Sequence, residues 1–210
     1  DINSKFMIGI IDLGLSNLKS IQNAVKCLGH DTIILRENNS KDIKKISNMI
    51  VPGVGSYLNL SNNLAKCVEL KKELDIHVRA GKPFLGICLG MQFLSSEGNE
   101  HGKSKGLNLI PGKVIKIKTK DKLKIPHVGW NELNILHQNE IFKNIETKTN
   151  LYFVHSYYYV PENQNHVIAE TIYGLKIPAV INRENIYGFQ FHPEKSSNNG
   201  LQMLNNFCSI

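Results

Sequence analysis

Three stretches carry residues whose types and spacing suit acyl-transfer chemistry. In FLGICLGMQ, residues 84–92, Cys88 follows an apolar run and has Gly86 and Gly90 two places to either side. Glycines at those spacings suit a chain that turns too sharply for a Cβ. Gly-x-Cys-x-Gly has the form of a nucleophile elbow, with cysteine where hydrolases often place serine. Such a strand-to-helix turn exposes the nucleophile, aims the following N–H groups at one point, and favours the thiolate through the helix N-terminus. A cysteine that merely fills the core also fits these residues when they are taken alone.

A thiol acting on an amide needs a base, and the base needs an orienting group. GFQFHPEKS, residues 188–196, offers His192 and Glu194 separated by Pro193. In an extended segment, positions two apart project to the same side, so one imidazole nitrogen would face Cys88 and the other Glu194. An isolated His-x-Glu fits a surface pair equally well, but this one follows the apolar run IYGFQF, which would carry it to the sheet edge. A metal site finds little support, because no second ligand cluster has suitable spacing. The third stretch is Pro52-Gly53-Val54-Gly55, whose glycines let the backbone approach a ligand. Gly53 and Val54 of this loop, with the Leu89 N–H after the nucleophile, are the expected oxyanion donors. An ordinary strand-to-helix turn would have the same composition.

Periodicity predicts the strands and helices that would bring these residues together. FMIGIID (6–12), TIILR (32–36), NMIVP (48–52) and PFLGIC (83–88) read as short apolar strands. Between them lies a helix with apolar residues at 18, 21, 25 and 28, Ser16 as its N-cap and Gly29 as its stop. A short lysine-rich helix precedes NMIVP, a long helical stretch runs from about Leu58 to Arg79, and GMQFLSS begins another helix. Strands alternating with amphipathic helices predict an α/β fold, an open and mostly parallel sheet flanked by helices. After residue 107 strand-like runs joined by short turns (KVIKIK, LYFVHSYYYV, HVIAETIY, PAVINR, NIYGFQF) predict antiparallel additions, and GLQMLNNFC closes as a helix. No repeat or low-complexity linker interrupts the chain, so residues 1–210 are expected to form one domain.

Bulk properties narrow the classes. With 210 residues and 41% apolar content, the chain suits one well-cored domain. No apolar run reaches the roughly 20 residues of a membrane span, and no charged-then-apolar leader is expected. Residues 1–6, ahead of Met7, are expected to be an extension foreign to the natural protein. Cysteines 27, 67, 88 and 208 lie far apart without a C-x-x-C pair, which predicts reduced thiols in a cytoplasmic protein. The net charge of +7 is largely local, since residues 101–124 hold eight lysines against Asp121. On a strand or hairpin the alternating lysines from 116 to 124 would share one face. They suit a guarded sheet edge or a partner-docking face, while the absence of interleaved aromatics disfavours nucleic acid.

PGVG, GICLGMQ, PHVGWN, YFVHSYY and QFHPEKS, in this order and spacing, resemble the class I glutamine amidotransferases. Within them the resemblance is to the glutaminase-subunit branch of imidazole glycerol phosphate synthase, and it covers nearly the whole chain from Met7. It implies a flavodoxin-like fold, a Cys88–His192–Glu194 triad, no cofactor and no metal. Glutamine, the implied substrate, would meet Gly55, Gln92, His155, Ser156 and Tyr157. A (β/α)8 synthase subunit, forming a heterodimer and receiving ammonia, would meet Asn17, Trp130, Tyr152 and Lys195. Two departures lie near those partner positions: the first loop reads DLGLSNLKS without the more usual Tyr-Gly pair, and the lysine stretch is unusually rich. A related subunit for cell-surface sugar amidation and a stand-alone γ-glutamyl hydrolase are the alternatives.

Overall fold

Strands β1 (Met7–Ile11), β2 (Asp31–Leu35), β3 (Asn48–Gly53) and β4 (Phe84–Cys88) alternate with helices α1 (Leu18–Cys27), α2 (Tyr57–Lys66) and α3 (Val68–Arg79). A four-residue helix α4 (Leu89–Gln92) follows β4 directly. The second half carries β5 (Glu97–Gly98), β6 (Ser104–Lys105), β7 (Gly112–Lys116), β8 (His127–Ile135), β9 (Thr149–His155), β10 (Tyr157–Pro161), β11 (Val167–Ile172), β12 (Lys176–Arg183) and β13 (Ile186–Phe189), then α5 (Ser197–Cys208). These elements come from a computed structural model that describes residues 7–14, 17–119 and 123–210.

Among the described residues one sheet has nine strands in the order β2-β1-β3-β4-β13-β12-β11-β8-β9, and a second has four, β10-β7-β5-β6. From β2 to β13 all neighbours are parallel, and from β13 onward they are antiparallel. Alternate residues of the parallel strands face two cores. Ile8, Ile10, Ile50, Leu85 and Ile87 pack with Val25 of α1 and Leu204 and Phe207 of α5. Met49, Val51 and Phe84 pack with Leu60 and Leu64 of α2 and Leu70 and Leu74 of α3 on the other face. Each such fully buried side chain stabilises the fold by about 1.5–3 kcal/mol. No helix among the described residues is long and apolar enough to cross a membrane.

Several expectations need correction. The helix expected from Leu58 to Arg79 is two helices, broken at Cys67 (φ −100°, ψ 71°). The Glu37 carboxylate accepts from the N–H groups of Glu69 and Leu70 at 3.0 and 2.9 Å and so caps a new helix start. The lysine-rich segment Glu37–Lys45 is 3-10 helix. The helix expected through GMQFLSS stops after α4, because the N–H groups of Leu107, Leu109 and Asn108 take the carbonyls of Phe93, Leu94 and Ser95. LYFVHSYYYV is not one strand: it switches sheets at Ser156, with β9 on β8 and β10 on β7. NIYGFQF belongs to the parallel half, since β13 pairs parallel to β4. The alternating lysines do not share a strand face, because β7 ends at Lys116 and residues 117–119 lie outside any strand. Lys120, Lys122 and the expected N-cap Ser16 lie outside the described residues, and Asn17 is the residue flanking α1.

Candidate active site

Parallel strands β3, β4 and β13 end side by side, and their C-terminal ends are where open α/β sheets bind ligands. Cys88 is the last residue of β4 and lies opposite Gly53 at the end of β3. Its backbone has φ 53° and ψ −110°, a strained conformation for a residue with a side chain. Two glycines over-determine it by close packing. A Cβ on Gly86 would lie 2.4 Å from the Gly90 carbonyl oxygen, and one on Gly90 only 1.8 Å from that of Val51. The elbow therefore rests directly on β3. Its thiol is buried, at 7% residue exposure, where an exposed elbow was expected. What access it has is through a cavity of about 250 Å³.

His192 reaches the thiol by a route other than strand alternation. β13 ends at Phe189, and Pro193–Lys195 form a 3-10 turn that folds Glu194 back onto the imidazole. His192 Nδ1 lies 2.9 Å from Glu194 Oε1, both side chains being almost wholly buried. That leaves Nε2 to face the cavity that Cys88 and His192 both line, and the thiol itself lies 3.8 Å from the Val154 carbonyl oxygen. Burial pulls the imidazole pKa down, but hydrogen bonds and charge from Cys88 and Glu194 outweigh it and raise it to about 10. The upward shift favours the protonated ring, whose Nδ1–H then faces the Glu194 carboxylate. The backbone is pinned as well: the His192 N–H donates to the Tyr152 carbonyl at 3.0 Å, and Ser196 Oγ donates to the His192 carbonyl at 2.7 Å.

The cavity is walled by Val54, Gly55, Leu89, Gln92, His155, Ser156 and Tyr157 together with Cys88 and His192. All five positions expected to meet glutamine thus converge on the thiol. Gly55 has φ +99°, a conformation that a side chain would strain. Gln92 Nε2 is committed to the wall, donating to the Tyr157 carbonyl at 2.8 Å and to Gln190 Oε1 at 3.1 Å. Its carbonyl oxygen is what remains for a ligand N–H. Of the expected oxyanion donors, Val54 and Leu89 reach the cavity, whereas Gly53 lies behind it. A Cβ on Gly53 would meet Leu89 Cβ and the Gly90 nitrogen at 2.9 Å, so this glycine lets the two loops close together. As first residue of α4, Leu89 has an N–H without an intrahelical acceptor.

Two residues of the site escaped sequence reasoning. Glu100 lines the cavity and accepts from the Tyr57 N–H at 2.8 Å, which places a carboxylate where a ligand ammonium could pair with it. No local pattern in GNEHG marks it. Gln190 is fully buried between Phe189 and Phe191, and its Nε2 lies 3.8 Å from Cys88 Sγ. A polar residue inside an otherwise apolar buried run was the signal that could have found it.

The residues expected at a partner face lie on or beside elements that contact one another. Trp130 on β8 pairs with Tyr152 on β9, their rings edge-on at 6.0 Å, and Trp130 is 55% exposed. Lys195 is exposed on the 193–195 turn, against which both β9 and α1 pack. Asn17, half-buried, precedes α1 and accepts from Ser20 Oγ at 2.8 Å. Among the described residues no group of three His, Cys, Asp or Glu side chains is placed to hold a metal ion.

Residues 9–210 match the family model described as glutamine amidotransferase class-I. The chain is 44% identical to an imidazole glycerol phosphate synthase subunit HisH of Caldanaerobacter subterraneus subsp. tengcongensis, covering 96% of this chain and 97% of that one. It is 43% identical to the protein of the same name from Methanocaldococcus jannaschii, covering 97% of this chain and 100% of the other. The fold is similar to that of a PurLQS structure from Thermotoga maritima, with TM-score 0.75, 18% identity and 98% of each chain covered. The crystal structure of a putative GMP synthase protein from Thermoplasma acidophilum gives TM-score 0.73 at 20% identity, covering 99% of this chain and 94% of that one.

Proposed function

The chain belongs to the class I glutamine amidotransferases, and on that premise we propose that it is the glutaminase subunit of an imidazole glycerol phosphate synthase. It hydrolyses glutamine to glutamate and ammonia and passes the ammonia to a (β/α)8 synthase partner in histidine biosynthesis. The observation that carries the chemistry is the buried His192–Glu194 pair, whose imidazole lines one small cavity together with the Cys88 thiol. The names and near-complete coverage of the relatives support the synthase assignment over sugar amidation or a stand-alone hydrolase.

The Cys88 thiolate attacks the side-chain amide carbon of glutamine, and N–H groups of the PGVG loop and Leu89 stabilise the oxyanion. Imidazolium His192 gives its proton to the leaving ammonia, and a γ-glutamyl thioester remains on Cys88. Neutral His192 then takes a proton from water, whose oxygen attacks the thioester and releases glutamate. Glu194 holds the ring and offsets its charge in both halves. Gly55, Gln92, His155, Ser156 and Tyr157 bind the amino acid, while Glu100 complements its α-ammonium group.

Ammonia released to bulk water would be protonated and lose its nucleophilicity, so direct transfer within a heterodimer is required. The exposed Trp130, with Tyr152, Lys195 and Asn17, supports a docking face there. The same assignment makes the chain a single glutaminase domain and a cytoplasmic enzyme. Glutamate production by the chain mixed with a (β/α)8 synthase partner plus an acceptor analogue tests the proposal. Production that the partner leaves unchanged would favour the stand-alone hydrolase.

A further inference from the structure

Two buried histidines beside the site have no role in the proton transfers, and their hydrogen bonds run in a single direction. His155 Nδ1 lies 2.8 Å from the Tyr157 carbonyl oxygen, which can only accept, so Nδ1 carries the proton. His155 Nε2 is then the acceptor, and it lies 3.1 Å from His127 Nδ1, which must be an N–H in turn. That leaves His127 Nε2 to accept from Asn131 Nδ2 at 3.3 Å. The Asn131 amide is itself oriented by backbone groups. Its Oδ1 accepts from the Glu132 N–H and its Nδ2 donates to the Ile172 carbonyl, each at 2.8 Å. Both ends of the line are thus fixed by backbone, and every proton between them has one place.

Packing holds the middle of the line. The His127 ring is stacked on Tyr173 at 4.1 Å and on Phe153 at 5.1 Å, with interplanar angles of 21° and 17°. His127 and His155 are 2% and 6% exposed. An added proton on either ring would set two N–H groups against each other, or one against the Asn131 amide, in a site water barely reaches. At the other end, the Tyr157 carbonyl takes both His155 Nδ1–H and Gln92 Nε2–H, so two cavity side chains converge on one backbone oxygen.

We propose that His127 is a positioning residue for glutamine binding. By donating Nδ1–H to His155 it holds that ring in one neutral tautomer, and through the Tyr157 carbonyl it fixes the 155–157 wall of the cavity. This role rests on glutamine being the cavity's ligand. It acts on substrate affinity, since neither ring takes part in the proton transfers of His192.

Nitrogen-15 NMR of the imidazoles in the unmodified protein near neutral pH reads the tautomers without any substitution. His127 and His155 are both expected as neutral Nδ1–H rings. An Nε2–H tautomer or an imidazolium at either would overturn the proposal. Glutamine kinetics of the complex with the synthase partner supply the second readout, using two variants. His127→Phe keeps a flat ring between Phe153 and Tyr173 but loses the donor, whereas His127→Asn keeps an N–H near the position of Nδ1. Loss of one buried donor should raise KM about tenfold in His127→Phe with kcat within about threefold, and His127→Asn should recover most of it. Equal KM in the two variants, or a fall confined to kcat, would contradict the role. Neither outcome bears on glutamine hydrolysis itself, which stands or falls with Cys88.

Discussion

The His192 N–H donates to the carbonyl of Tyr152, so the backbone of His192 hangs from the strand residue whose ring meets exposed Trp130. Ser196 closes the link, its Oγ accepting from the Tyr152 N–H at 2.9 Å while donating to the His192 carbonyl. A partner that seats on Trp130 and Tyr152 therefore touches the backbone that positions His192. The Val54-Gly55 corner is the second element expected to respond, because Gly55 has φ +99° and carries no side chain to oppose rotation of the peptide. Glutamine hydrolysis is expected to rise at least roughly a hundredfold in the acceptor-loaded complex, about 2.7 kcal/mol of differential stabilisation. Trp130→Ala and Tyr152→Ala should each blunt that rise. Steady-state rates for the isolated chain, with the barrel, and with barrel plus acceptor analogue provide the check.

Loss of the imidazole removes proton transfer itself, whereas loss of the carboxylate disturbs only its tautomer and charge. His192→Ala should lower kcat by about 10²–10⁴, and Glu194→Gln by a smaller factor. Rates at saturating glutamine decide this. Equal or reversed deficits would remove Glu194 from the orienting role.

The buried histidines give stability a defined pH dependence. Burial lowers His127 and His155 from 6.5 to about 4, the charge of His192 adding to the effect on His155. Between those values the unfolded chain binds more protons than the folded one. Their contribution is thus complete above about pH 6.5 and declines as the pH falls toward 4. His192 works in the opposite sense, its contribution being complete below 6.5 and lost as the pH rises through about 10. Urea midpoints should therefore fall between neutral and mildly acid pH, and His127→Phe should flatten that fall. A midpoint that rises on acidification would contradict the burial of neutral rings.

The elbow should tolerate no side chain at Gly90. An added Cβ would press on the Val51 carbonyl, so Gly90→Ala is expected to destabilise by about 1–3 kcal/mol or more. Chemical denaturation measures it, and a change within about 0.5 kcal/mol would show that the contact relaxes freely.

What the sequence made legible was local. Gly86, Cys88 and Gly90 announce their turn because their spacing falls within five residues, though the Val51 carbonyl that excludes a side chain at Gly90 does not, and the parallel strands announce themselves as short apolar runs. Long-range contacts stayed hidden. The break at Cys67 depends on a carboxylate at Glu37, and the end of α4 on backbone donors from residues 107–109. Ser156 gives no sign that the chain changes sheets there, yet that switch builds one wall of the cavity. His192 and Glu194 were found by a spacing that the structure uses differently, through a 3-10 turn in place of strand alternation.

The proposed nucleophile is the Cys88 thiol, and its removal separates glutamine hydrolysis from every other step. Cys88→Ala, assembled with the (β/α)8 partner and loaded with acceptor, should form no glutamate above the uncatalysed rate. Synthase turnover driven by added ammonium salt should persist, because the proposed acceptor site lies on the partner. Glutamine-dependent glutamate formation at an appreciable fraction of the unmodified rate in Cys88→Ala would contradict the mechanism outright.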